Sequence, residues 1–244
     1  MSGYGNFAAV YDRLMSEFDY AGAAEYLVSL AKKHGSALKK PLDLACGSGR
    51  LAAELIKLGL DPVCVDGSPE MLSLARERLP DGTLLLCQDM TALDLNDTVD
   101  TCFCTMDSLN YVTTKAELKA AFKRLALFTD KGGVFIFDVD AERKFADDLA
   151  DGTYTYDFDD LYLVWNTEYS PRSRKARYEL TWFEHERGVW RRYDDEQEQR
   201  FWSREELTDA LAEVGFEFAA VRDAYTLSPP KQDSKRLHYV FKRK

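Results

Sequence analysis

Along the first 150 residues, short runs that are apolar at successive positions alternate with segments whose apolar residues recur at helical spacing. Between the apolar runs, residues such as Leu51, Leu55 and Leu58 follow the spacing of one helical face. Strands that are apolar on both alternations have to be covered on both faces, so the pattern predicts an α/β fold around a parallel sheet. The strand-like apolar runs lie near residues 42–44, 61–66, 84–87, 101–105 and 133–138.

Helix boundaries can be read from capping residues. Residues 68–70 place an N-cap serine, a first-turn proline and an acidic residue in the expected order. Thr114 with Glu117, and Ser203 with Glu206, have the spacing of capping boxes. The alternation of strand and helix resumes after residue 200, with strands predicted near 216–222 and 236–242. Residues 1–150 and 201–244 therefore form one predicted core.

The segment 151–200 has a different pattern. It holds 11 of the 31 aromatic residues, and apolar and polar positions alternate along it. Turn residues interrupt it at 170–173 and 186–188. We expect three or four antiparallel strands that form a curved insertion over the main sheet, called the flap below. The flap's aromatic residues would suit the wall of a small-molecule pocket, its own core or the face of a homodimer.

Residues 42–50 form a strand, a glycine turn and the start of a helix. Gly47 and Gly49 leave no side chain between the backbone and a ligand. Together with Ala52 they also satisfy a loose dinucleotide fingerprint. Asp43 and the acidic surroundings, in which Arg50 is the nearby cation, favour a cationic ligand over a pyrophosphate.

This stretch resembles motif I of the class I S-adenosylmethionine (SAM) methyltransferases. The resemblance implies a Rossmann-like sheet of seven strands with the last strand antiparallel, and SAM as the cofactor. It implies that Ala45 and Gly47 meet the methionine moiety through their backbone, with Asp43 in support. Gly49 and Arg50 belong to the same cofactor-binding turn.

Further polar residues follow the later strands, at the sheet edge where open α/β sheets bind ligands. Asp66 is expected to accept hydrogen bonds from both ribose hydroxyls. Asp89 and the backbone of Met90 are expected to contact the adenine. Met71 either packs on the adenosine or belongs to the core. By the resemblance, Asp107 and Ser108 face the methionine moiety or the acceptor.

The segment from Tyr4 to Asp12 resembles the leader of bacterial small-molecule N-methyltransferases that act on amino sugars and glycine. In that group a leader tyrosine reaches over the cofactor near its sulfonium. Tyr11 fits this catalytic role best, and Tyr4 is the second choice. A phenol oxygen and ring face favour a cation. The alternative for either tyrosine is simple packing in a lid helix.

Composition argues against several other classes of protein. A net charge of -10 over 244 residues argues against a nucleic-acid substrate. The chain has neither a membrane-length apolar run nor the pattern of a signal peptide, which predicts a cytoplasmic protein without a membrane partner. The five cysteines lack zinc-ligand spacing, so we expect no metal and five buried thiols. The three histidines offer no evident general base, and His185 is predicted to be solvated.

The sequence thus predicts transfer of a methyl group from SAM to a small-molecule acceptor, in particular an amine. Two alternatives remain open at this stage. One is a SAM-binding regulatory protein or subunit without turnover of its own. The other is a methyltransferase that acts on RNA or protein.

Overall fold

The computed structural model describes residues 7–244, and its larger sheet has seven strands. They are β1 (Pro41–Leu44), β2 (Val63–Asp66), β3 (Leu85–Cys87), β4 (Val99–Cys104), β5 (Thr129–Asp140), β10 (Phe216–Asp223) and β11 (Arg236–Arg243). Their order in the sheet is β10-β11-β5-β4-β1-β2-β3. Strands β1 to β5 pair in parallel, whereas β11 runs antiparallel to both β5 and β10. This arrangement confirms the predicted sheet with its antiparallel last strand.

Helices connect these strands, and their N-termini carry the predicted caps. Ser68 accepts a hydrogen bond from the backbone of Met71, and complete capping boxes form at Thr114 and Ser203. The helices are α1 (Ala8–Leu14), α2 (Tyr20–Lys33), α3 (Arg50–Lys57), α4 (Pro69–Arg78), α5 (Lys115–Phe128), α6 (Glu142–Asp147) and α7 (Arg204–Glu213). Single 3-10 turns follow β3 at Met90–Ala92 and β4 at Ser108–Tyr111.

The flap is a separate antiparallel sheet of four strands. They are β6 (Asp151–Phe158), β7 (Leu161–Ser170), β8 (Lys175–Glu186) and β9 (Val189–Arg200). Alternate residues of β7 and β8 are buried, as their sequence pattern predicts. Leu161, Leu163, Leu180 and Trp182 pack against α1, and Ala176 and Tyr178 pack against Phe145 of α6. The flap is thereby attached to the core through two short helices.

The buried interior lies on both faces of the larger sheet. Phe135 and Phe137 of β5 pack against α5, α7 and β11 on one face, and Phe103, Val134 and Ile136 pack towards α2 and α3 on the other. Two-sided burial explains why these strands are apolar at nearly every position.

All five cysteines are free thiols, but they are not all buried. Cys87 is exposed, whereas the other four are buried. The expectation of five buried thiols is wrong for Cys87 because β3 is the edge strand of the sheet and Cys87 is its last residue. Within residues 7–244, no helix is both long and apolar enough to cross a membrane.

Candidate active site

A cavity of about 160 Å³ lies over the carboxyl ends of β1, β2 and β4. We call it the glycine-turn cavity. Most of the site residues predicted from the sequence meet here, although they come from separate strand ends. Its lining includes Tyr11, Asp43, Ala45, Gly47, Arg50, Asp66, Met71, Met90 and Ser108. Met71 is both buried and part of this lining, so the two expectations for it do not exclude each other.

The glycine turn has a left-handed backbone at Ala45, Gly47 and Gly49. A Cβ atom at position 49 would lie 3.0 Å from Leu79 Cδ1 and 3.1 Å from Ala75 Cβ, so Gly49 lets α3 approach α4 closely. Gly49 therefore packs beneath the turn and is absent from the lining of the cavity, whereas Ala45 and Gly47 belong to it.

Asp66 holds the glycine turn in place from the end of β2. Its Oδ2 accepts a hydrogen bond of 2.8 Å from the backbone nitrogen of Gly47, and its Oδ1 accepts one of 2.8 Å from Ser68. Burial raises the pKa of Asp66, while the hydrogen bonds from Ser68 and Gly47 lower it. This carboxylate can thus support the turn and also present its outer lone pairs to the cavity.

Asp43 is a buried acid beside the same cavity. The residue is 2% exposed, and within the part of the chain that the structure describes its Oδ2 has no hydrogen-bond partner. Burial, with a smaller contribution from Asp66, raises its pKa to about 7. An unsatisfied buried carboxyl is costly unless a cation or donor compensates it, which marks this position as suited to a positively charged ligand.

Asp43→Asn should change the pH dependence of stability. The folded-state pKa lies above the unfolded value, so this residue costs stability as pH rises from about 4 to about 7. Without ligand, we expect the variant to gain roughly 2–3 kcal/mol relative to the wild type between pH 5 and pH 8. Urea unfolding at both pH values measures this, with the exposed Asp61→Asn as the control. An equal difference at both values would show that Asp43 does not titrate in this range.

Arg50 lines the glycine-turn cavity, but its guanidinium is bound by another residue. Its Nε donates to Asp12 Oδ1 at 2.8 Å, and a terminal nitrogen donates to Asp12 Oδ2 at 2.9 Å. Asp12 thereby links α1 to the start of α3. Asp12 and Arg50 lie 38 positions apart in the sequence, and their contact was not predicted.

Asp89 lies outside the glycine-turn cavity, in an adjoining groove of about 490 Å³ between the sheet edge and the flap. Asp89 Oδ1 accepts two hydrogen bonds from Thr91, one from the backbone nitrogen at 2.8 Å and one from the side-chain hydroxyl at 2.6 Å. Met90 lines both spaces. The groove and the cavity also share Asp66, Gly67, Ser108 and Tyr111, so together they form an elongated site.

A second cavity, of about 420 Å³, lies between the core and the flap. We call it the flap cavity. Tyr11 and Tyr111 line both this cavity and the glycine-turn cavity, so the two spaces adjoin. The flap contributes Tyr154, Tyr156, Trp165, Thr167, Tyr178 and Gln199, and the core contributes Asp107, Asp140, Lys144, Asp148 and Arg236 among others.

Asp107 belongs to the flap cavity and is absent from the lining of the glycine-turn cavity. It and Met106 have left-handed backbone conformations, with φ of 52° and 57°. Gln199 Nε2 of the flap donates to Asp107 Oδ2 at 2.6 Å, and Arg236 pairs with Oδ1. The Asp107 carboxylate thus lies on the flap side of the site, between β11 and the flap.

Arg236 also contacts two further buried acids, Asp138 and Asp140, each at 3.1 Å. Burial raises the pKa of both acids to about 6, although Arg236 opposes the shift. Tyr178 donates to Gln199 Oε1 at 2.6 Å and extends the network into the flap. The sequence predicted a strand that ends at residue 138, but it predicted neither the extension of this strand to Asp140 nor the contacts of the two acids with Arg236.

Tyr11 and two of the histidines complete the predicted groups that the structure describes. Burial raises the pKa of Tyr11 well above its usual value, so its phenol stays protonated at neutral pH. His185 is exposed and packs beside Trp190, with ring centroids 5.0 Å apart. His238 is buried, and its pKa falls to about 3 through burial and the charge of Arg236, so it is neutral. Tyr4 lies outside the described residues.

The geometry fits SAM as a ligand. The glycine turn offers backbone groups, Asp43 offers an uncompensated carboxyl for a cation, and Asp66 offers a carboxylate for hydroxyl groups. Among residues 7–244, no group of three histidine, cysteine or acidic side chains is placed to hold a metal ion.

Comparisons with known proteins agree with this geometry. A methyltransferase-domain family model matches residues 42–133, which include the glycine turn, Asp66 and Asp107. The Bacillus subtilis protein "Putative methyltransferase YqeM" is 29% identical over 97% of this chain and 95% of its own. The crystal structure of a SAM-dependent methyltransferase from Clostridium acetobutylicum superposes with a TM-score of 0.87, at 28% identity and 98% coverage of both chains.

A relative with a named acceptor matches over a shorter length. The dTDP-3-amino-3,4,6-trideoxy-α-D-glucopyranose N,N-dimethyltransferase of Streptomyces venezuelae is 32% identical over 49% of this chain and 50% of its own. The sheet order, the glycine turn and the full-length matches lead to one conclusion. The chain is a SAM-dependent methyltransferase with the fold of the class I enzymes, and SAM is its cofactor.

Proposed function

We propose that this enzyme transfers the methyl group of SAM to the nitrogen of a small-molecule amine in the flap cavity. The main support for this proposal is the composition and position of the flap cavity. The flap cavity combines aromatic rings with Asp107, Asp140 and Asp148, and it adjoins the glycine-turn cavity at Tyr11 and Tyr111. Aromatic faces and carboxylates are the groups that bind organic cations.

In this proposal the cofactor occupies the glycine-turn cavity and the adjoining groove. The backbone of Ala45 and Gly47 contacts its methionine moiety, and Asp43 compensates its positive charge. Asp66 accepts hydrogen bonds from the ribose hydroxyls. Asp89 and Met90, which line the groove, contact the adenine. The bound cofactor supplies an electrophilic methyl group on a sulfonium.

The acceptor then lies on the opposite side of Tyr11. The amine reacts in its neutral form, so an acceptor that binds as an ammonium ion first loses a proton to solvent. The nitrogen lone pair would then form the new C–N bond as the C–S bond of bound SAM breaks, with S-adenosylhomocysteine as the leaving group and the positive charge on nitrogen. A proton is finally lost to solvent. The carboxylates of the flap cavity stabilise the charge that appears on the acceptor side. Such a reaction depends mainly on alignment, and orientation can contribute up to about 7–11 kcal/mol.

Tyr11 is proposed to provide part of this alignment. It lines both cavities, and its raised pKa keeps it as a neutral phenol. A neutral phenol carries no charge, but it can direct its oxygen lone pairs or its ring face towards a cation. Met106 and Ser108 line the glycine-turn cavity beside it.

The similar Streptomyces venezuelae enzyme supports the choice of an amine. Its name describes dimethylation of an amino sugar nitrogen, and the match covers about half of each chain. The Bacillus subtilis and Clostridium acetobutylicum relatives, which match over nearly the whole chain, are named only as methyltransferases. The aromatic rings and the three acids of the flap cavity, whose lining also includes Arg236 and Lys144, are therefore the principal support for an amine, and the similarity adds to it.

Matched acceptors test the proposal. Purified enzyme with SAM is offered amino sugars, amino acids and aromatic amines, each beside its N-acetylated and hydroxyl counterparts, and S-adenosylhomocysteine release is measured with product mass. We expect release only with free amines. Methylation of the hydroxyl counterparts would refute nitrogen transfer. Release only with RNA or protein would reassign the acceptor class, and SAM binding without any release would favour a regulatory protein.

A further inference from the structure

Helix α1 lies between the flap and the glycine turn. On its flap side, Phe7 and Val10 pack against Leu163 and Trp182, and the rings of Phe7 and Trp182 lie 5.4 Å apart. Tyr11 lines both cavities from this short element. The position of α1 therefore determines where Tyr11 stands relative to the cofactor and the acceptor.

The other side of α1 is fixed by one carboxylate. Asp12 accepts hydrogen bonds from the Ser48 hydroxyl, from two nitrogens of Arg50 at 2.8 and 2.9 Å, and from Arg78 at 2.9 Å. Arg78 also donates to the backbone oxygen of Ser48. We call these four residues the Asp12 clamp. It joins α1 to the glycine turn, to the first residue of α3 and to the last residue of α4.

The clamp is well suited to fix a short helix. The Asp12 side chain is only 15% exposed. Burial alone would raise its pKa, but the hydrogen bonds from Arg50, Ser48 and Arg78 lower it, so it stays ionised at neutral pH. By contrast, the ion pair between Arg13 of α1 and Asp160 of the flap is largely exposed, and exposed pairs contribute little. A seven-residue helix is not stable alone and depends on such attachments.

We infer that Asp12 is a positioning residue, which holds α1 and Tyr11 against the glycine turn and so closes the glycine-turn cavity over the cofactor. The inference rests on the proposed placement of SAM in that cavity. Loss of the clamp frees α1 to move away from the turn. The cofactor then dissociates more readily, and Tyr11 is no longer held between the two cavities.

Asp12→Asn tests the inference because it keeps the shape of the side chain and removes its charge. Titration calorimetry with S-adenosylhomocysteine should show a dissociation constant about 10-fold higher. Asp12→Glu, which keeps the charge, should restore part of the affinity. Arg78→Met removes a clamp residue that does not line the glycine-turn cavity, and the double variant should bind no more weakly than the worse single variant, since both break one unit.

Glu17→Gln is the matched control, because it removes one negative charge from an exposed position three residues beyond α1. Its affinity should stay within twofold of the wild type. Melting curves have to show that each variant is folded. Wild-type affinity in both Asp12→Asn and Arg78→Met would overturn the inference.

Limited trypsin digestion supplies a readout that a loss of global stability would not mimic. In the wild type, S-adenosylhomocysteine should slow cleavage after Arg13 in α1 while cleavage after Arg187, in the exposed turn between β8 and β9, stays unchanged. Asp12→Asn should lose this protection at saturating ligand. Retained protection would contradict the inference.

The design also separates failure of the clamp from failure of the cofactor site. If the wild type does not bind S-adenosylhomocysteine, or if Asp66→Ala leaves its binding unchanged, the proposed placement of the cofactor is wrong. If Asp66→Ala weakens binding and the clamp variants do not, only the role of Asp12 is wrong.

Discussion

Replacing Asp66 with alanine is expected to weaken SAM binding roughly 30- to 1000-fold, which corresponds to about 2–4 kcal/mol. Two losses add together. The ribose hydroxyls lose a carboxylate that can accept both of their hydrogen bonds. The glycine turn also loses the acceptor of the Gly47 and Ser68 backbone hydrogen bonds, so its backbone is less well prepared for the ligand. Titration calorimetry of the folded variant measures the change.

Asp61→Ala is the matched control for this experiment. Asp61 is exposed just before β2, the strand that ends in Asp66, so both variants remove one carboxylate from the same part of the chain. We expect wild-type affinity for the control. The SAM affinity of Asp66→Asn should lie between those of the wild type and Asp66→Ala, because an amide accepts hydrogen bonds through one atom only. Unchanged affinity in Asp66→Ala would mean that the ribose is held by other residues.

Local sequence signals predicted the architecture of the core well. The caps at Ser68, Thr114 and Ser203 each involve residues within one helical turn, so the sequence alone contains both partners. The buried strands could likewise be recognised from their own composition, because burial on both faces requires apolar residues at nearly every position. Since open α/β sheets bind ligands at the carboxyl ends of their strands, Asp66 and Met90 could be predicted to lie in one site from the strands they follow.

The electrostatic partners of the site could not be predicted in the same way. Arg236 lies 129 positions from Asp107, and Gln199 lies 92 positions from it. Arg78 reaches Asp12 across 66 positions. Such contacts depend on how β11, β9 and α4 stack in space. No periodicity or capping rule specifies that stacking.

Asp107 shows why a position after a strand does not determine which cavity a side chain enters. The left-handed backbone at Met106 and Asp107 turns the chain after β4, and the carboxylate is then held by the flap and by β11. Its neighbours Met106 and Ser108 line the glycine-turn cavity, while Asp107 lines the flap cavity. Backbone conformation and tertiary contacts therefore decide which of the two cavities the Asp107 side chain enters.

This placement leads to the prediction that Asp107→Asn separates catalysis from cofactor binding. Asparagine tolerates the left-handed conformation, so the backbone of the turn should persist. The amide has lost the negative charge, and its nitrogen would face a donor, either Arg236 or Gln199. Breaking a charged contact costs about 2–5 kcal/mol when it is buried, and the Asp107 side chain is 17% exposed. We expect kcat/KM for the amine acceptor to fall at least about 100-fold.

Cofactor affinity is the contrasting measurement. Asp107 does not line the glycine-turn cavity, so the dissociation constant for SAM should stay within about threefold of the wild type. Asp157→Asn, an exposed acid in β6 of the flap, is the control and should change neither quantity. A loss of SAM affinity equal to the loss of kcat/KM would place Asp107 on the cofactor side. Wild-type turnover would show that the carboxylate does not contribute to binding the amine, because its charge is the feature that the proposed acceptor requires.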